Sequence, residues 1–261
     1  MINTFDLSGK VVLITGGYGY LGKAITESLL YHGANVYVLG LDKEKFLKAF
    51  SELGFSKGNL HYLYCDISQT LAIKKAFKTI YEKETKIDVL INNAFYLEGQ
   101  SPENMTDEEW EIGIEGVLGS VFKSIREIIP FFKTQRYGNI VNVSSMYGLV
   151  APHFEVYEQS PSFLNPPHYG AAKAAIIQLT KYYAAYLGRT GVRVNVVTPG
   201  PFPSNEVQKN HQFISELEGQ TCLGRIGQPS DLAGAFVFLA SDASNFMTGQ
   251  NIIIDGGWTI K

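Results

Sequence analysis

Tyr169 and Lys173 are the first residues of this chain whose types and spacing indicate chemistry. The run 171–186 is rich in Ala, Leu and Ile without Gly or Pro, which predicts a helix with both side chains on one face. A free phenol has a pKa of about 10, and a nearby cation lowers that pKa by about 1–3 units. The pair is therefore a candidate acid/base unit for proton exchange with an alcohol. The alternative is an amphipathic helix carrying a surface Tyr and Lys.

Alternating strands and helices must position this pair. Helical periodicity predicts helices at 20–31, 43–53, 73–80, 106–133, 171–186 and 232–239. Short apolar runs predict strands at 10–15, 35–39, 61–65, 88–91, 139–143, 192–197 and 251–254. Thr106 and Glu109 form a predicted capping box at the start of the longest helix. This alternation favours an α/β fold with a parallel sheet covered on both faces. No repeat or composition break divides the chain, so we expect one domain over 1–261.

The first predicted strand runs directly into a glycine-rich turn, Thr15-Gly-Gly-Tyr-Gly-Tyr-Leu-Gly22, and then into a helix. Glycines allow the backbone to approach a pyrophosphate, and the N-terminus of the following helix directs free N–H groups at it. The position of the turn in the first strand–helix unit therefore predicts dinucleotide binding. The alternative is a turn that only needs positive φ angles.

Composition excludes several classes of function. The net charge is −3 over 261 residues, with Lys and Arg scattered, which gives no electrostatic case for binding nucleic acid or an anionic membrane. Two distant cysteines, Cys65 and Cys222, make a disulfide framework or a metal site unexpected. The first ten residues lack a signal-peptide pattern, and no run of 18 apolar residues is present. We therefore expect a cytoplasmic protein without metal.

Six short motifs follow one another in a fixed order along the chain. They are the Thr-Gly-rich turn, Asp66-Ile67, Asn92-Asn93-Ala94, Ser145, Tyr169xxxLys173 and Pro199-Gly200. This series resembles the short-chain dehydrogenase/reductase family, and the closing 249–257 and 225–229 segments resemble its single-domain branch. The resemblance covers about residues 6–258 and implies a Rossmann-type, doubly wound, three-layer α/β/α fold with about seven strands. It also implies an NAD(P) cofactor and a homodimer or homotetramer, with the helices from Thr106 and Tyr169 in contact.

The resemblance implies a role for each catalytic residue. Ser145 would bind the reacting oxygen, and Tyr169 would exchange its proton. Lys173 would tune Tyr169 and bond the nicotinamide ribose. For Ser145 the alternative reading is simple hydrogen bonding at a strand end.

The resemblance also implies a set of cofactor contacts. Those around the pyrophosphate and ribose would be Gly16, Tyr18, Gly19, Tyr20, Leu21 and Gly22. Asp66 and Ile67 would hold the adenine, although Asp66 also fits turn capping. Asn92 and Ala94 would line the adenosine ribose. Bordering the nicotinamide would be Pro199, Gly200 and Ser204, the last where the family usually has Thr.

The segment after the second strand bears on the choice between NAD and NADP. Gly40-Leu41-Asp42 contains no Arg or Lys to meet a 2′-phosphate, and Asp42 would repel one. The family's NAD-selecting acid would stand at position 40, which is Gly. The sequence therefore favours NAD, with Asp42 near the cofactor.

This chain departs from the family pattern at four places. The glycines are spaced as TGxxGxxG, which is commoner in the extended branch, and the segment 151–168 is longer than usual. Phe95 stands where the Asn-Asn-Ala motif usually ends in Gly. Val117 stands where the family often has an active-site Asn that supports a proton-relay water. The last change puts the relay, but not hydride transfer, in doubt.

The segment 151–168 contains four prolines and lies between Ser145 and Tyr169. We expect it to form a wall or lid over the substrate rather than part of the cofactor site. The alternative is a surface excursion that packs on a neighbouring subunit. Its candidates for stacking on a sugar or base are Phe154, Tyr157, Phe163 and His168. Its candidates for bonding hydroxyls are Glu155, Glu158 and Asn165.

The sequence thus predicts an oxidoreductase that interconverts a secondary alcohol and a ketone of a small molecule. The stretch 145–152 with Tyr157-Glu158 resembles a subgroup associated with bacterial surface sugars, including flagellin glycans, so a sugar or nucleotide sugar is the expected substrate. One alternative is a fatty-acyl or polyketide 3-oxoacyl ketoreductase. Another is a non-catalytic dinucleotide-binding sensor or assembly subunit.

Overall fold

The computed structural model describes residues 3–52 and 57–261. Their seven strands are β1 (Val11–Thr15), β2 (Asn35–Gly40), β3 (Leu60–Tyr64), β4 (Val89–Asn92), β5 (Gly138–Val143), β6 (Val192–Pro199) and β7 (Asn251–Ile254). They form one sheet in the order β3-β2-β1-β4-β5-β6-β7, and every pair is parallel. The predicted doubly wound parallel sheet is confirmed. The order reverses between β1 and β4, so the carboxyl ends of these strands border a crevice, the usual ligand-binding position in sheets of this kind.

Eight α-helices connect these strands within the described ranges. They are α1 (Tyr20–Tyr31), α2 (Lys43–Ala49), α3 (Thr70–Glu84), α4 (Asp107–Ile114), α5 (Ser120–Gln135), α6 (Pro167–Leu187), α7 (His211–Gln220) and α8 (Pro229–Ala240). Helix α2 ends four residues before the predicted limit at 53, which itself lies outside the described residues. Helix α6 begins at Pro167, because the fixed φ of proline suits the first helical position.

The helices cover both faces of the sheet, and each face has its own core. One core joins α3, α5 and α6 to the sheet through residues such as Phe77, Phe132 and Ile176. The other joins α1 and α8 to the opposite face through Ile25 and Phe236. Because both faces of the inner strands are buried, β1 and β4 are almost continuously apolar, whereas the edge strands β3 and β7 are only partly buried.

The predicted long helix 106–133 is interrupted. Thr106 and Glu109 form the predicted capping box, but a π-helical turn, Glu115–Gly119, separates α4 from α5. A Cβ on Gly116 would lie 2.0 Å from the carbonyl oxygen of Tyr96, so only glycine permits this close approach to the loop after β4. The interruption therefore lies where the helix meets the loop that borders the crevice.

A third, smaller core lies beyond the carboxyl ends of β5 and β6. It packs the segment after β5 against α7, for which the sequence analysis made no prediction. Asn210 caps α7 by accepting from the backbone N–H of Phe213 at 3.0 Å, and Phe213 and Leu217 bury one face of the helix. An Asn followed by apolar residues four apart is the signal that would have predicted this helix.

Candidate active site

Ser145 and Tyr169 are brought together by the turn after β5. The hydroxyl of Ser144 donates to the carbonyl oxygen of Lys173 at 2.8 Å, which ties the end of β5 to α6. A Cβ on Gly148 would lie 2.8 Å from the backbone of α6, so the turn rests directly on that helix. Ser145 then hydrogen-bonds the phenol of Tyr169. The predicted acid/base residue and the predicted oxygen-binding residue therefore share one site.

Lys173 lies one turn further along α6 and is only 3% exposed. Its Nζ donates to the carbonyl oxygen of Val143 at 2.9 Å and lies 5.5 Å from the centre of the Tyr169 ring. Burial lowers the pKa of Lys173 to about 7, because desolvation penalises its charged form. Lys173 therefore carries its full positive charge beside the Tyr169 phenol only below about pH 7.

The predicted lowering of the Tyr169 pKa is wrong for this structure. Burial raises the pKa of Tyr169, and the hydrogen bond from Ser145 only partly offsets this effect. Tyr169 is therefore held as a protonated phenol, the form that donates a proton to a ketone oxygen.

Two departures from the family pattern, Phe95 and Val117, pack near the start of α6 or in the core that it joins. The Phe95 ring centre is 5.0 Å from its Nζ and 5.6 Å from the Tyr169 ring, so Phe95 packs over the Tyr–Lys pair. Val117 lies in the π-helical turn and is buried in the core that also contains Ala172 and Ile176 of α6. An apolar side chain thus stands at the position where the sequence comparison expects the relay Asn.

The glycine turn is braced by the loop after β4. Asn93 donates to the carbonyl oxygens of Thr15 at 2.9 Å and Gly16 at 3.2 Å, while the Thr15 hydroxyl accepts from the Asn93 and Ala94 N–H groups at 3.0 Å each. Gly16 has a φ of +64°, and a Cβ on Gly22 would lie 2.3 Å from the Gly16 carbonyl oxygen. Glycine therefore occupies these positions for steric reasons: a side chain would be strained at Gly16 and would collide with the backbone at Gly22.

The start of α1 fits a pyrophosphate. Its N-cap, Gly19, makes no side-chain capping bond, so the first N–H groups of the helix have no side-chain acceptor there. Such a helix end, preceded by a glycine turn, is a favourable anion site. The residues present therefore fit the phosphate portion of a dinucleotide.

A first cavity of about 430 Å³ extends from the glycine turn to Tyr169. We call it the cofactor cavity. Twelve predicted site residues line it: Gly16, Gly19, Tyr20, Leu21, Gly22, Ala94, Ser145, Tyr169, Lys173, Pro199, Gly200 and Ser204. Lining residues that had no predicted role there are Asn93, Phe95, Val143, Ser144 and Phe202. Asn93, Phe95 and Ser144 lie in or beside the sequence motifs, whereas Val143 and Phe202 carry no chemical signal in the sequence, since their positions depend on packing.

Three predicted contacts lie outside this cavity for clear reasons. The side chain of Asn92 is buried in the sheet and donates to Asn142 at 2.8 Å, so its predicted place at the cavity is taken by Asn93. Asp66 accepts from the Ser68 N–H at 2.9 Å, which is the turn-capping alternative. Ile67 follows it, half-buried, after β3.

Tyr18 and Asp42 also lie outside the cofactor cavity, together at the end of β2. The hydroxyl of Tyr18 accepts from the backbone N–H groups of Leu41 and Asp42 at 3.1 Å each. Asp42 caps α2 by accepting from the Lys45 N–H at 2.9 Å, and this hydrogen bond lowers the pKa of its carboxyl. Together Tyr18, Leu41 and Asp42 form a small polar corner beside Gly40 at the end of β2.

A second cavity of about 240 Å³ meets the first at Ser145, Tyr169, Gly200 and Phe202. We call it the substrate cavity. Its remaining lining is Met146, Tyr147, Tyr157, Phe163, Asn165, Pro201, Pro203, Val207, Phe213 and Leu217. None of these described residues carries a charge at neutral pH. The hydroxyls of Tyr147 and Tyr157 are 2.5 Å apart, and Asn165 donates to Tyr157 at 3.1 Å, so one connected polar group lies within an aromatic wall.

The segment 151–168 contributes to the substrate cavity and not to the cofactor cavity, although not with every predicted residue. Phe154 is 58% exposed and lines neither cavity, and neither do the exposed Glu155 and Glu158. The prediction that His168 stacks on a ligand is wrong. His168 is fully buried in the first turn of α6, where its Nε2 bonds the carbonyl oxygen of Glu98 at 2.7 Å.

Comparison with known proteins decides the family. A family model described as enoyl-(acyl carrier protein) reductase matches residues 20–259. The 3-oxoacyl-[acyl-carrier-protein] reductase FabG of Thermotoga maritima is 34% identical, over 97% of this chain and 99% of that protein. The chain belongs to the short-chain dehydrogenase/reductase family.

Solved structures of this family superpose closely. A short-chain dehydrogenase from Leptospira borgpetersenii with bound NAD+ has a TM-score of 0.86 and 32% identity, covering 100% of this chain and 96% of that one. A gluconate 5-dehydrogenase from Burkholderia cenocepacia in complex with NADP and tartrate has a TM-score of 0.87 and 27% identity, covering 99% and 98%. This short-chain dehydrogenase/reductase is therefore an NAD(P)-dependent oxidoreductase acting on secondary alcohols or ketones.

The described residues of this family member include neither a candidate metal site nor a candidate membrane span. They contain no group of three or more His, Cys, Asp or Glu side chains arranged to hold a metal ion. No described helix combines the length and apolar character needed to cross a membrane.

Proposed function

We propose that this enzyme interconverts a secondary alcohol and a ketone on a sugar or nucleotide sugar used in bacterial surface glycan synthesis. The observation that carries the proposal is the substrate cavity, which joins stacking aromatics to the Tyr147–Tyr157–Asn165 hydrogen-bonded group. Aromatic faces with a few fixed hydroxyl and amide groups suit a neutral ring that carries hydroxyls. The cavity's modest volume fits one ring beside the reacting carbon.

The proposed catalytic roles rest on the shared edge of the two cavities, which contains Ser145 and Tyr169. Ser145 hydrogen-bonds the substrate oxygen, and Tyr169 donates its proton to that oxygen or removes it in the reverse direction. Lys173 holds the ribose of the cofactor and biases the phenol of Tyr169. The nicotinamide cofactor, when bound, supplies or accepts the hydride.

The cofactor contacts remain part of the proposal. The glycine turn and the N-terminus of α1 hold the pyrophosphate, and Ala94 lines the adenosine ribose. Pro199, Gly200 and Ser204 border the nicotinamide at the end of β6. Asp66 and Ile67, which are half-buried just after β3, hold the adenine.

A second candidate is reduction of a 3-oxoacyl thioester, favoured by the identity to the Thermotoga FabG. The discriminating experiment follows nicotinamide absorbance with keto-sugars, nucleotide keto-sugars and acetoacetyl thioesters as substrates. Turnover of keto-sugars and little turnover of thioesters supports the proposal, and the opposite order supports the ketoreductase. A protein that binds cofactor but turns over neither class supports a non-catalytic sensor or assembly subunit.

We also propose a homodimer or homotetramer that uses the outer faces of α4, α5 and α6. These faces expose aromatic side chains, including Trp110, Phe122, Tyr182 and Tyr186, which are 41–61% accessible. Light scattering after size-exclusion chromatography tests the assembly. Tyr182→Glu with Tyr186→Glu should shift the mass towards a monomer, and an unchanged mass would contradict the proposed contact.

We place the enzyme in the cytoplasm as part of the proposal. Both cysteines are free, and Cys222 is exposed, which suits a reducing compartment. Cell fractionation with an antibody to the native protein tests this, and recovery outside the cytoplasmic fraction would contradict it.

A further inference from the structure

The carboxyl end of β2 carries no side chain of its own, because residue 40 is glycine. A Cβ built on Gly40 would lie 2.5 Å from Cε1 of Tyr18 and 2.7 Å from its hydroxyl oxygen. The Tyr18 ring therefore packs directly on the bare backbone of Gly40. In this fold the ribose of the adenosine half lies at this strand end, where a carboxylate usually bonds its 2′-hydroxyl. Tyr18 takes the space that such a side chain would need.

The Tyr18 hydroxyl has one remaining hydrogen-bonding capacity. Its oxygen accepts from the N–H groups of Leu41 and Asp42, both at 3.1 Å, which uses the acceptor lone pairs of a hydroxyl. Two successive backbone N–H groups are otherwise favourable donors to an anion. Since Tyr18 already occupies them, this corner offers a ligand one O–H donor in place of two N–H donors.

The charges at the corner disfavour an anion. Hydrogen bonding to the Lys45 N–H lowers the pKa of the Asp42 carboxyl, so it is anionic at neutral pH. The Lys45 ammonium lies 3.7 Å from that carboxylate and is paired with it. Tyr62 closes the other side by donating to the Gly40 carbonyl oxygen at 2.9 Å. A neutral 2′-hydroxyl suits this corner, whereas a 2′-phosphate would face a carboxylate.

We propose that Tyr18 is the residue by which this chain selects NAD over NADP. Its O–H donates to the 2′-hydroxyl of the adenosine ribose, and its oxygen withholds the Leu41 and Asp42 N–H groups from a 2′-phosphate. The Asp42 carboxylate adds repulsion. The inference rests on the cofactor binding of the proposed function and adds its selectivity.

The test measures the dissociation constants of NAD and NADP by calorimetry, without substrate. The native chain should bind NAD at least about tenfold more tightly than NADP. Tyr18→Phe keeps the ring on Gly40 and removes the hydroxyl, so NAD should weaken, NADP should hold or tighten, and the preference should fall about tenfold. Tyr20→Phe is the matched control. Tyr20 is in the same turn, but its hydroxyl accepts from Gln208 at 2.8 Å. Loss of this hydroxyl should therefore change the affinities for NAD and NADP by the same factor.

Asp42→Asn measures the effect of the Asp42 charge separately from that of the Tyr18 hydroxyl. It also provides a test if Tyr18→Phe does not fold. Asn caps a helix as well as Asp does, so α2 should persist while NADP tightens several-fold relative to NAD. Tighter binding of NADP by the native chain, or an equal change for both cofactors in Tyr18→Phe, would overturn the inference and leave the proposed function intact. A native chain that binds neither cofactor would refute both.

Discussion

The two cavities that meet at Tyr169 are built in different ways. The cofactor cavity is lined mainly by backbone, glycines and short side chains at the carboxyl ends of β1, β4, β5 and β6. The substrate cavity is lined mainly by large side chains from the segment after β5 and from α7 and the loop before it. Parallel pairing fixes the first, since it brings strand ends to one edge. Packing of aromatic residues far apart in the chain fixes the second.

The electrostatics of the two cavities also differ. The cofactor cavity contains a buried ammonium, Lys173, whose pKa is lowered to about 7 by burial. The described residues lining the substrate cavity are uncharged at neutral pH, and burial raises the pKa of Tyr147 and Tyr157. We therefore expect proton transfer where the two cavities meet, at Ser145 and Tyr169, and recognition of substrate shape in the substrate cavity. The variants below test this meeting point first and then each cavity separately.

Tyr169→Phe should give the largest effect, because it removes the proton-exchanging group at the shared edge. We expect kcat to fall by about a thousandfold, within the range for general acid–base catalysis, while cofactor affinity changes little. Steady-state kinetics and calorimetry measure the two quantities. Tyr183→Phe, on the same helix but outside both cavities, is the control. Activity of Tyr169→Phe within a few-fold of the native enzyme would refute the assignment.

Lys173→Met should reveal the buried charge as a pH dependence of stability. The folded pKa of about 7 lies below the unfolded value of 10.5, so between them the unfolded chain binds more protons and rising pH favours folding. Native stability should therefore rise relative to Lys173→Met by about 1.4 kcal/mol per pH unit between pH 7 and 9.

Urea unfolding at several pH values measures this difference. Below the folded pKa both states of the native chain are protonated, and the difference should level off. Lys181→Met, which removes an exposed lysine of the same helix, is the control. A difference between native and Lys173→Met that stays flat from pH 7 to 9 would contradict the burial of the charge.

Phe163→Ala should act on the substrate cavity alone. Its ring centre lies 4.8 Å from that of Phe213, and its loss should lower kcat/KM for the substrate about tenfold or more while the cofactor dissociation constant is unchanged. Phe154→Ala, on the exposed side of the same segment, is the matched control. This substitution is a sharper test than shortening the loop between residues 153 and 164, which would remove the buried Val156 and Tyr157 from the third core. Normal kcat/KM would favour the subunit-contact reading of the segment.

Tyr147→Phe should give the smallest effect. It removes one hydroxyl of the Tyr147–Tyr157 pair, whose oxygens are 2.5 Å apart, while Asn165 still donates to Tyr157. We expect a loss of about 1 kcal/mol in the free energy of unfolding and a rise of a few-fold in KM. Denaturation and steady-state kinetics check both. A change in cofactor affinity instead would show that the two cavities are not independent.

The sheet and the glycine turn follow from local sequence patterns, because apolar runs and glycines are local signals. The same patterns predict that Ser145, Tyr169 and Lys173 lie together, and the structure brings these three residues to one cavity. The motif order predicted a place at the cofactor cavity for Asn92, but the Asn92 side chain is buried in the sheet. Adjacent side chains at a strand end point to opposite sides, so a shift of one residue gives the cavity to Asn93 instead.

Properties that depend on residues far apart in the chain follow from the tertiary structure. The Phe95 ring lies over the Lys173 ammonium, and the loop that carries Phe95 contacts the π-helical turn at Gly116. Burial of Tyr169 itself raises its pKa, whereas the spacing alone predicts that it is lowered. His168 was misread for a similar reason, since burial converts a possible ligand contact into a fixed bond with Glu98. The spacing of residues in the sequence shows which side chains are neighbours. Their pKa values depend on how far packing removes them from solvent, which only the folded structure shows.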